Sequence, residues 1–109
     1  MAGDYLGEFE HLVLLALLRL GDDAYGVTVR QEIARRTGRD VSVGAIYATL
    51  GRLEEKGFVR SRVGAPTAER GGRAKQHFGV TAKGIAVVEQ THEALRRMVD
   101  GLTLKGSLA

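Results

Sequence analysis

The stretch from Ser42 to Gly57 constrains the fold of this chain more than any other part of the sequence. Ser42 is a good helix N-cap, because its hydroxyl can accept a hydrogen bond from a free backbone amide of the first turn. Gly57 suits the left-handed position that follows a helix. Between them, an apolar stripe with helical spacing is formed by Ile46, Leu50 and Leu53. The stretch therefore predicts one helix with a single narrow buried stripe.

The opposite face of this helix carries small side chains where a surface helix usually has long charged ones. It is formed by Gly44, Ala48, Gly51 and Glu55, with Tyr47 and Arg52 at its edges. A helix with so flat a face can approach another surface closely. That surface can be the major groove of DNA, which is just wide enough to admit a helix, or a second layer of protein. The stretch alone leaves both alternatives open.

A chain of 109 residues with 44% apolar residues is long enough for one globular domain, and small for an enzyme with a deep cleft. It contains no cysteine, which excludes disulfides and thiolate chemistry and suits the reducing cytoplasm. The longest apolar run, Leu12–Leu18, is far too short to span a bilayer. We therefore expect a soluble cytoplasmic protein without a membrane segment.

The net charge of +3 conceals an uneven distribution along the chain. The number of Lys and Arg residues minus the number of Asp and Glu residues gives a net charge of −4 for residues 1–24, +6 for residues 25–75 and +1 for residues 76–109. The cationic part thus contains the flat-faced helix. A localised basic surface is typical of nucleic-acid binding, although ordinary solvation also produces one.

Two helices are predicted before the flat-faced one. Residues 5–20 form a helix that is apolar on almost every side, which indicates burial against its own core and against a partner chain. Asp22 or Asp23 can cap a second helix over residues 24–37. Gly26 either allows this helix to pack closely against a neighbour or lies outside its first turn.

A hairpin is predicted after the flat-faced helix, because the period of the sequence changes there from 3.6 to 2. Its strands cover residues 58–63 and 75–80, and a loop over Gly64–Ala74 joins them. Arg60 and Arg62 alternate along the first strand and would share one of its faces. The tip of the hairpin carries the cations Arg70, Arg73 and Lys75.

Thr81 is predicted to cap a final helix over residues 82–101. Positions spaced three and four apart on this helix make a heptad seam that suits pairing with another helix. The seam consists of Ile85, Val88, His92, Leu95, Val99 and Leu102. Together with Leu14 and Leu18 of the first helix, it predicts the interface of a homodimer. The polar member, His92, is expected to specify the register of the pair, and a pH switch is the alternative.

Three helices, a hairpin and a further helix, with the flat-faced helix third, form the order of a winged helix-turn-helix. The predicted fold class is therefore α+β and mainly α, with one additional C-terminal dimerisation helix. The expected domains are a winged helix-turn-helix over residues 1–80, the dimerisation helix over residues 81–102 and a tail over residues 103–109.

Four motifs in this order resemble the PadR family of winged-helix transcriptional regulators. They are Ala24-Tyr25-Gly26 at the second helix, Ser42–Gly57 as the recognition helix, Gly71–Phe78 at the wing and Val80-Thr81 before the last helix. The chain resembles the short form of the family, with a single C-terminal helix. The resemblance implies a homodimer that represses transcription from a pseudo-palindromic operator. Family members can lose affinity for DNA on binding a small molecule, and the sequence identifies no such effector.

The resemblance also assigns DNA contacts residue by residue. They are Ser42, Gly44, Ala45, Tyr47, Ala48 and Arg52 in the recognition helix, and Arg70, Arg73 and Lys75 in the wing. Arg52 can make two hydrogen bonds to guanine or a phosphate, and Tyr47 can donate to a phosphate. For Tyr47 the alternative is packing against the first strand, and for the wing arginines it is a solvated loop. Gly51 departs from the family pattern, since a basic residue is common there.

The sequence does not favour an enzyme, a metal site or a cofactor. Its three histidines lie on different predicted elements, and no Gly-rich turn joins a strand to a helix. The alternative to a regulator is a winged-helix module that assembles proteins without binding specific DNA. Such a module would show no salt-sensitive binding to any duplex.

Overall fold

The computed structural model describes residues 5–63 and 75–103. Their elements follow the predicted order and confirm the mainly helical α+β class. They are helices α1 (Glu8–Leu20), α2 (Gly26–Thr37) and α3 (Val43–Glu55), strands β1 (Val59–Val63) and β2 (Gln76–Val80), and helix α4 (Ala82–Val99). Of the predicted loop and tail, residues 64–74 and 104–109 lie outside the described residues.

Helix α3 has the limits and the buried stripe that its sequence predicts. The Ser42 hydroxyl oxygen accepts a hydrogen bond from the Ala45 amide at 3.0 Å. Gly57 follows the helix with a φ of 84°, a conformation that other residues rarely adopt. The side chains of Ile46, Leu50 and Leu53 are completely buried. Capping and spacing are local properties, which explains why the sequence predicts this helix well.

The start of α2 differs from the prediction. Asp22 and Asp23 do not cap it, because they belong to a short 3₁₀ helix that follows α1. Tyr25 occupies the N-cap position instead, and its amide donates to the Thr28 hydroxyl at 3.0 Å. The chain stays extended there because the Phe78 amide of β2 donates to the carbonyl oxygen of Ala24 at 2.9 Å. A long-range strand contact thus delays the helix beyond the aspartates.

The two strands form an antiparallel pair that packs one of its faces on the helices. In this register Arg62 lies opposite His77 and Arg60 opposite Gly79, so both arginines share one face as predicted. The other face contributes the buried side chains of Val59 and Phe78 to the core. The wing sheet is therefore apolar towards the helices and cationic on its outer side.

Two residues assigned to a dimer interface lie inside the protomer. Leu14 of α1 is completely buried, and Val88 of α4 is 8% exposed. Both belong to the core formed by α1, α2, α3 and the strands. Their assignment to the interface is wrong, because helical spacing cannot distinguish a side chain that faces the core from one that faces a partner.

Helix α4 begins as predicted, with the Thr81 hydroxyl oxygen accepting a hydrogen bond from the Gly84 amide at 3.0 Å. Gly84 lies directly against the carbonyl oxygen of Phe58, so no side chain fits there. The amide of Leu6 donates a hydrogen bond to the Thr91 hydroxyl, which connects α4 to the residues before α1. Among the described residues, no helix combines the length and the apolar character needed to cross a membrane.

Candidate nucleic-acid interface

The outer face of α3 is open to solvent. All six of its predicted contact residues are exposed and lie outside the buried stripe of Ile46, Leu50 and Leu53: Ser42, Gly44, Ala45, Tyr47, Ala48 and Arg52. Gly51 lies among them, and nothing is within 4 Å of the position that its Cβ would occupy. A second surface can therefore approach the backbone of this helix closely.

Tyr47 combines a packed ring with a hydroxyl that makes no hydrogen bond to the described residues. Its ring is 41% exposed and meets the Phe78 ring edge-on at 6.2 Å between centroids. The ring also lies against Gly26, the first residue of α2. The packing partner is thus β2 together with α2, and not the first strand. The hydroxyl has no hydrogen-bond partner among residues 5–63 and 75–103, so it can donate to a ligand.

Arg52 is also exposed on α3, and a hydrogen bond within the helix orients its side chain. Its Nη2 donates to the buried Thr49 hydroxyl at 3.1 Å, one turn earlier. This single hydrogen bond leaves most of the five guanidinium donors unused. The side chain is therefore oriented in advance and can still make two hydrogen bonds to a base edge or a phosphate.

Lys75 is the only predicted wing contact within the part of the chain that the structure describes. Its Nζ lies 4.4 Å from the centroid of the Tyr25 ring and donates to the Tyr25 hydroxyl at 3.2 Å. His77 meets the same ring edge-on at 5.4 Å. Arg70 and Arg73 lie outside the described residues. The base of the wing is thus joined to the start of α2 through Tyr25.

Most cations of the body are paired with acids. Arg30 binds Asp40, Arg39 binds Glu8 and Lys56 binds Glu10, while Arg35 and Arg36 share Glu32. Hydrogen bonds from Arg35 and Arg36 hold the pKa of Glu32 below its ordinary value. Much of the positive charge between residues 25 and 75 is therefore compensated locally.

Arg60 and Arg62 of β1 are different. Neither side chain makes an ion pair or a hydrogen bond to any described residue. Both are exposed and line a groove of about 370 Å³ between the outer face of the wing and the start of α4. The sequence places them on one face but assigns them no contact. The sequence signal for them is that β1, Val59–Val63, contains two arginines and no acidic residue.

A strip of apolar side chains on α4 is exposed. Leu95 is 54% exposed and Met98 77%. The strip contains the predicted residues Ile85, Leu95 and Val99, and Leu18 of α1 is exposed as well. The helix ends at Val99 and not at residue 101, so the predicted seam residue Leu102, also exposed, lies beyond it. Met98 and Leu15 are exposed apolar residues that the seam prediction did not include.

Helices α1 and α4, which pack together, each carry a histidine, His11 and His92. Nε2 of His11 is buried without a hydrogen-bond partner among the described residues. Burial, with a contribution from the charge of His92, lowers the pKa of His11. His92 itself is exposed on α4. The pair therefore favours the neutral form of His11.

Comparison with known proteins agrees with this geometry. The sequence model of the transcriptional regulator PadR-like family matches residues 14–90. A PadR family transcription regulator from Clostridium difficile R20291 is 22% identical, with a TM-score of 0.71 over 84% of this chain and 91% of that one. F93 from STIV, a winged-helix DNA-binding protein, is 24% identical, with a TM-score of 0.69 over 90% of this chain and 98% of that one. No curated protein matches the sequence.

Proposed function

Because the chain belongs to the PadR-like family of transcriptional regulators, we propose that it is a homodimeric repressor that binds a pseudo-palindromic DNA operator. The observation that carries this proposal is the exposed, small-residue face of α3, which also presents the oriented Arg52 guanidinium and a Tyr47 hydroxyl without a hydrogen-bond partner among the described residues. Family members are regulators, and the proposal includes no catalysis.

In this proposal α3 enters the major groove, whose width admits a helix. Its small residues bring the backbone close to the base edges. Arg52 binds guanine or a phosphate with two hydrogen bonds, and Tyr47 donates to a phosphate. Lys75, Arg70 and Arg73 of the wing bind the adjacent backbone or minor groove.

The second half of α4 supports the proposed homodimer. The strip of Leu95, Met98 and Val99, with Leu102 beyond the helix, has no partner in the described part of the chain. A second copy of this chain can cover it, since two-fold pairing brings the strip of one copy onto that of the other. Residues 81–102 are then the dimerisation helix and residues 1–80 the DNA-binding domain. The proposal also includes a small-molecule effector whose binding releases the protein from the operator.

Selection of bound duplexes from a random DNA library tests the function. We expect a recovered sequence with two-fold symmetry that outcompetes bulk genomic DNA in a mobility-shift assay. Binding should weaken steeply with added salt, because cations at the interface release counterions from the phosphates. If no recovered duplex outcompetes genomic DNA, the chain is not a sequence-specific regulator, and the protein-assembly module replaces this proposal.

A further inference from the structure

We propose that Gly26 is a positioning residue for DNA recognition, because its missing side chain creates the slot that holds the Tyr47 ring. This inference rests on the proposed function and adds a residue outside the recognition helix to it. Gly26 begins α2 and is itself buried, so it reaches DNA only through Tyr47.

The slot is visible in the geometry around Gly26. A Cβ built on this residue would lie 2.6 Å from Cε2 of Tyr47 and 2.7 Å from its Cζ and its hydroxyl oxygen. Such distances are far below van der Waals contact. The ring therefore uses the space that any other residue at this position would fill. The close contact involves the hydroxyl end of the ring, the part proposed to bind a phosphate.

The walls of the slot come from two elements besides α3. The Phe78 ring of β2 meets the Tyr47 ring edge-on. The start of α2 is fixed to the same strand, because the Phe78 amide donates to the carbonyl oxygen of Ala24 and Tyr25 pairs with His77. Residues 24–26 thus connect the recognition helix to the wing, and Gly26 makes the contact to the helix.

The consequence of filling the slot depends on what can move. Tyr47 is partly exposed, and its hydroxyl has no hydrogen-bond partner in the described part of the chain, so the ring can turn outward into solvent. Gly84 is the opposite case, since an added Cβ would collide with the backbone carbonyl of Phe58. A methyl group at Gly26 should therefore displace Tyr47 while the fold is retained.

A double-mutant cycle tests this inference with Gly26→Ala, Tyr47→Ala and the double variant. Each is titrated against the selected duplex, and each is melted to confirm that it is folded. We expect Gly26→Ala to weaken binding about tenfold, as loss of one hydrogen bond to a charged phosphate does. In the Tyr47→Ala background, Gly26→Ala should have no further effect on affinity, because no ring remains to be displaced.

A readout without DNA accompanies the cycle. In the parent, nuclear Overhauser contacts should connect the ring protons of Tyr47 and Phe78, and Gly26→Ala should remove them. The positioning role would be overturned if Gly26→Ala kept the contacts between the two rings, if it left the affinity for DNA unchanged, or if the losses of affinity added up in the double variant. In each of these cases, specific DNA binding by the parent would still support the proposed regulator. If the parent selects no duplex at all, the proposed function fails and the positioning role fails with it.

Discussion

The amide of Leu6 donates a hydrogen bond to the hydroxyl of Thr91 at 3.1 Å, joining residues 85 positions apart in the sequence. Thr91 is also the last buried residue of α4. Before it, Gly84, Val87 and Val88 pack on the domain, and after it the apolar side chains are exposed. Beyond this hydrogen bond, α4 therefore no longer packs on its own domain, and its apolar side chains are open to a partner chain.

Replacing Leu95 by Asp should separate the proposed dimer. The change would bury an unpaired charge in each half of the seam, at a cost of about 3–5 kcal/mol for an uncompensated buried charge. Sedimentation should show monomers at concentrations where the parent is dimeric. Gln90→Asp is the control, since it adds the same charge on another side of α4. A parent that sediments as a monomer at micromolar concentration would contradict the dimer.

Arg52→Ala should weaken binding to the selected duplex by about 1–3 kcal/mol. If Arg52 binds a base, the variant should also lose preference at one position in each half-site. The half-site centres are expected about 10 bp apart, or a small multiple of that, since a two-fold dimer presents its helices one turn apart. Repeated library selection with the variant measures both effects. Arg19→Ala, which removes an exposed cation from α1, should leave affinity and preference unchanged.

Replacing Arg60 and Arg62 together by Gln should flatten the salt dependence of DNA binding. Each cation that neutralises a phosphate contributes about 0.9 to the slope of log affinity against log salt, so the double variant should lose nearly 2 from its magnitude. Sequence preference should persist, because contacts to the backbone do not distinguish bases. Titrations over a salt series measure the slope. An unchanged slope would show that the outer face of the wing does not contact DNA.

Two glycines should respond in opposite ways to alanine. Gly51 lies inside α3 with open space around its Cβ position, so Gly51→Ala should stabilise the protein by about 0.5–1 kcal/mol. Gly84→Ala should destabilise it by about 1–3 kcal/mol or more, because the added methyl group meets the Phe58 carbonyl. Denaturant unfolding of both variants measures the difference. Equal changes in the free energy of unfolding for the two variants would contradict the close approach of α4 to Phe58.

The stability of the protomer should fall under mildly acidic conditions because of His11. Its pKa is lowered in the folded state, mainly by burial, so the unfolded chain binds the proton more readily. The contribution of neutral His11 to the free energy of unfolding is complete above the ordinary histidine pKa of about 6.5. It is lost as the pH falls from there through the lowered pKa of the folded state. Melting temperatures of the parent and of His11→Gln between about pH 8 and 5 test this. Parallel curves for the two proteins would contradict it.

His92 is expected to act on pairing, in addition to its contribution to the lowered pKa of His11. We expect it to specify register, so dimer dissociation should change little between about pH 7 and 5. A rise in dissociation over that range that disappears in His92→Leu would show the alternative, a pH switch at the seam. Sedimentation of both proteins at the two pH values distinguishes these outcomes.

Features of this fold that depend on near neighbours in the chain could be predicted from the sequence. Ser42 and Gly57 mark the ends of α3 because capping and a left-handed stop involve only adjacent turns. The stripe of Ile46, Leu50 and Leu53 follows from helical spacing, and the shared face of Arg60 and Arg62 follows from the alternation of a strand. The fold class could be predicted because such elements occur in a recognisable order.

Features that depend on distant parts of the chain follow from the tertiary structure. It buried Leu14 in the core, and it started α2 at Gly26 and not at the aspartates, because Ala24 pairs with β2. It paired Arg39 with Glu8 and Lys56 with Glu10, whereas Arg60 and Arg62 have no acidic partner among the described residues, and it placed the Tyr47 ring against Gly26. Periodicity shows which side of an element is apolar, whereas the partner of that side is selected by long-range packing.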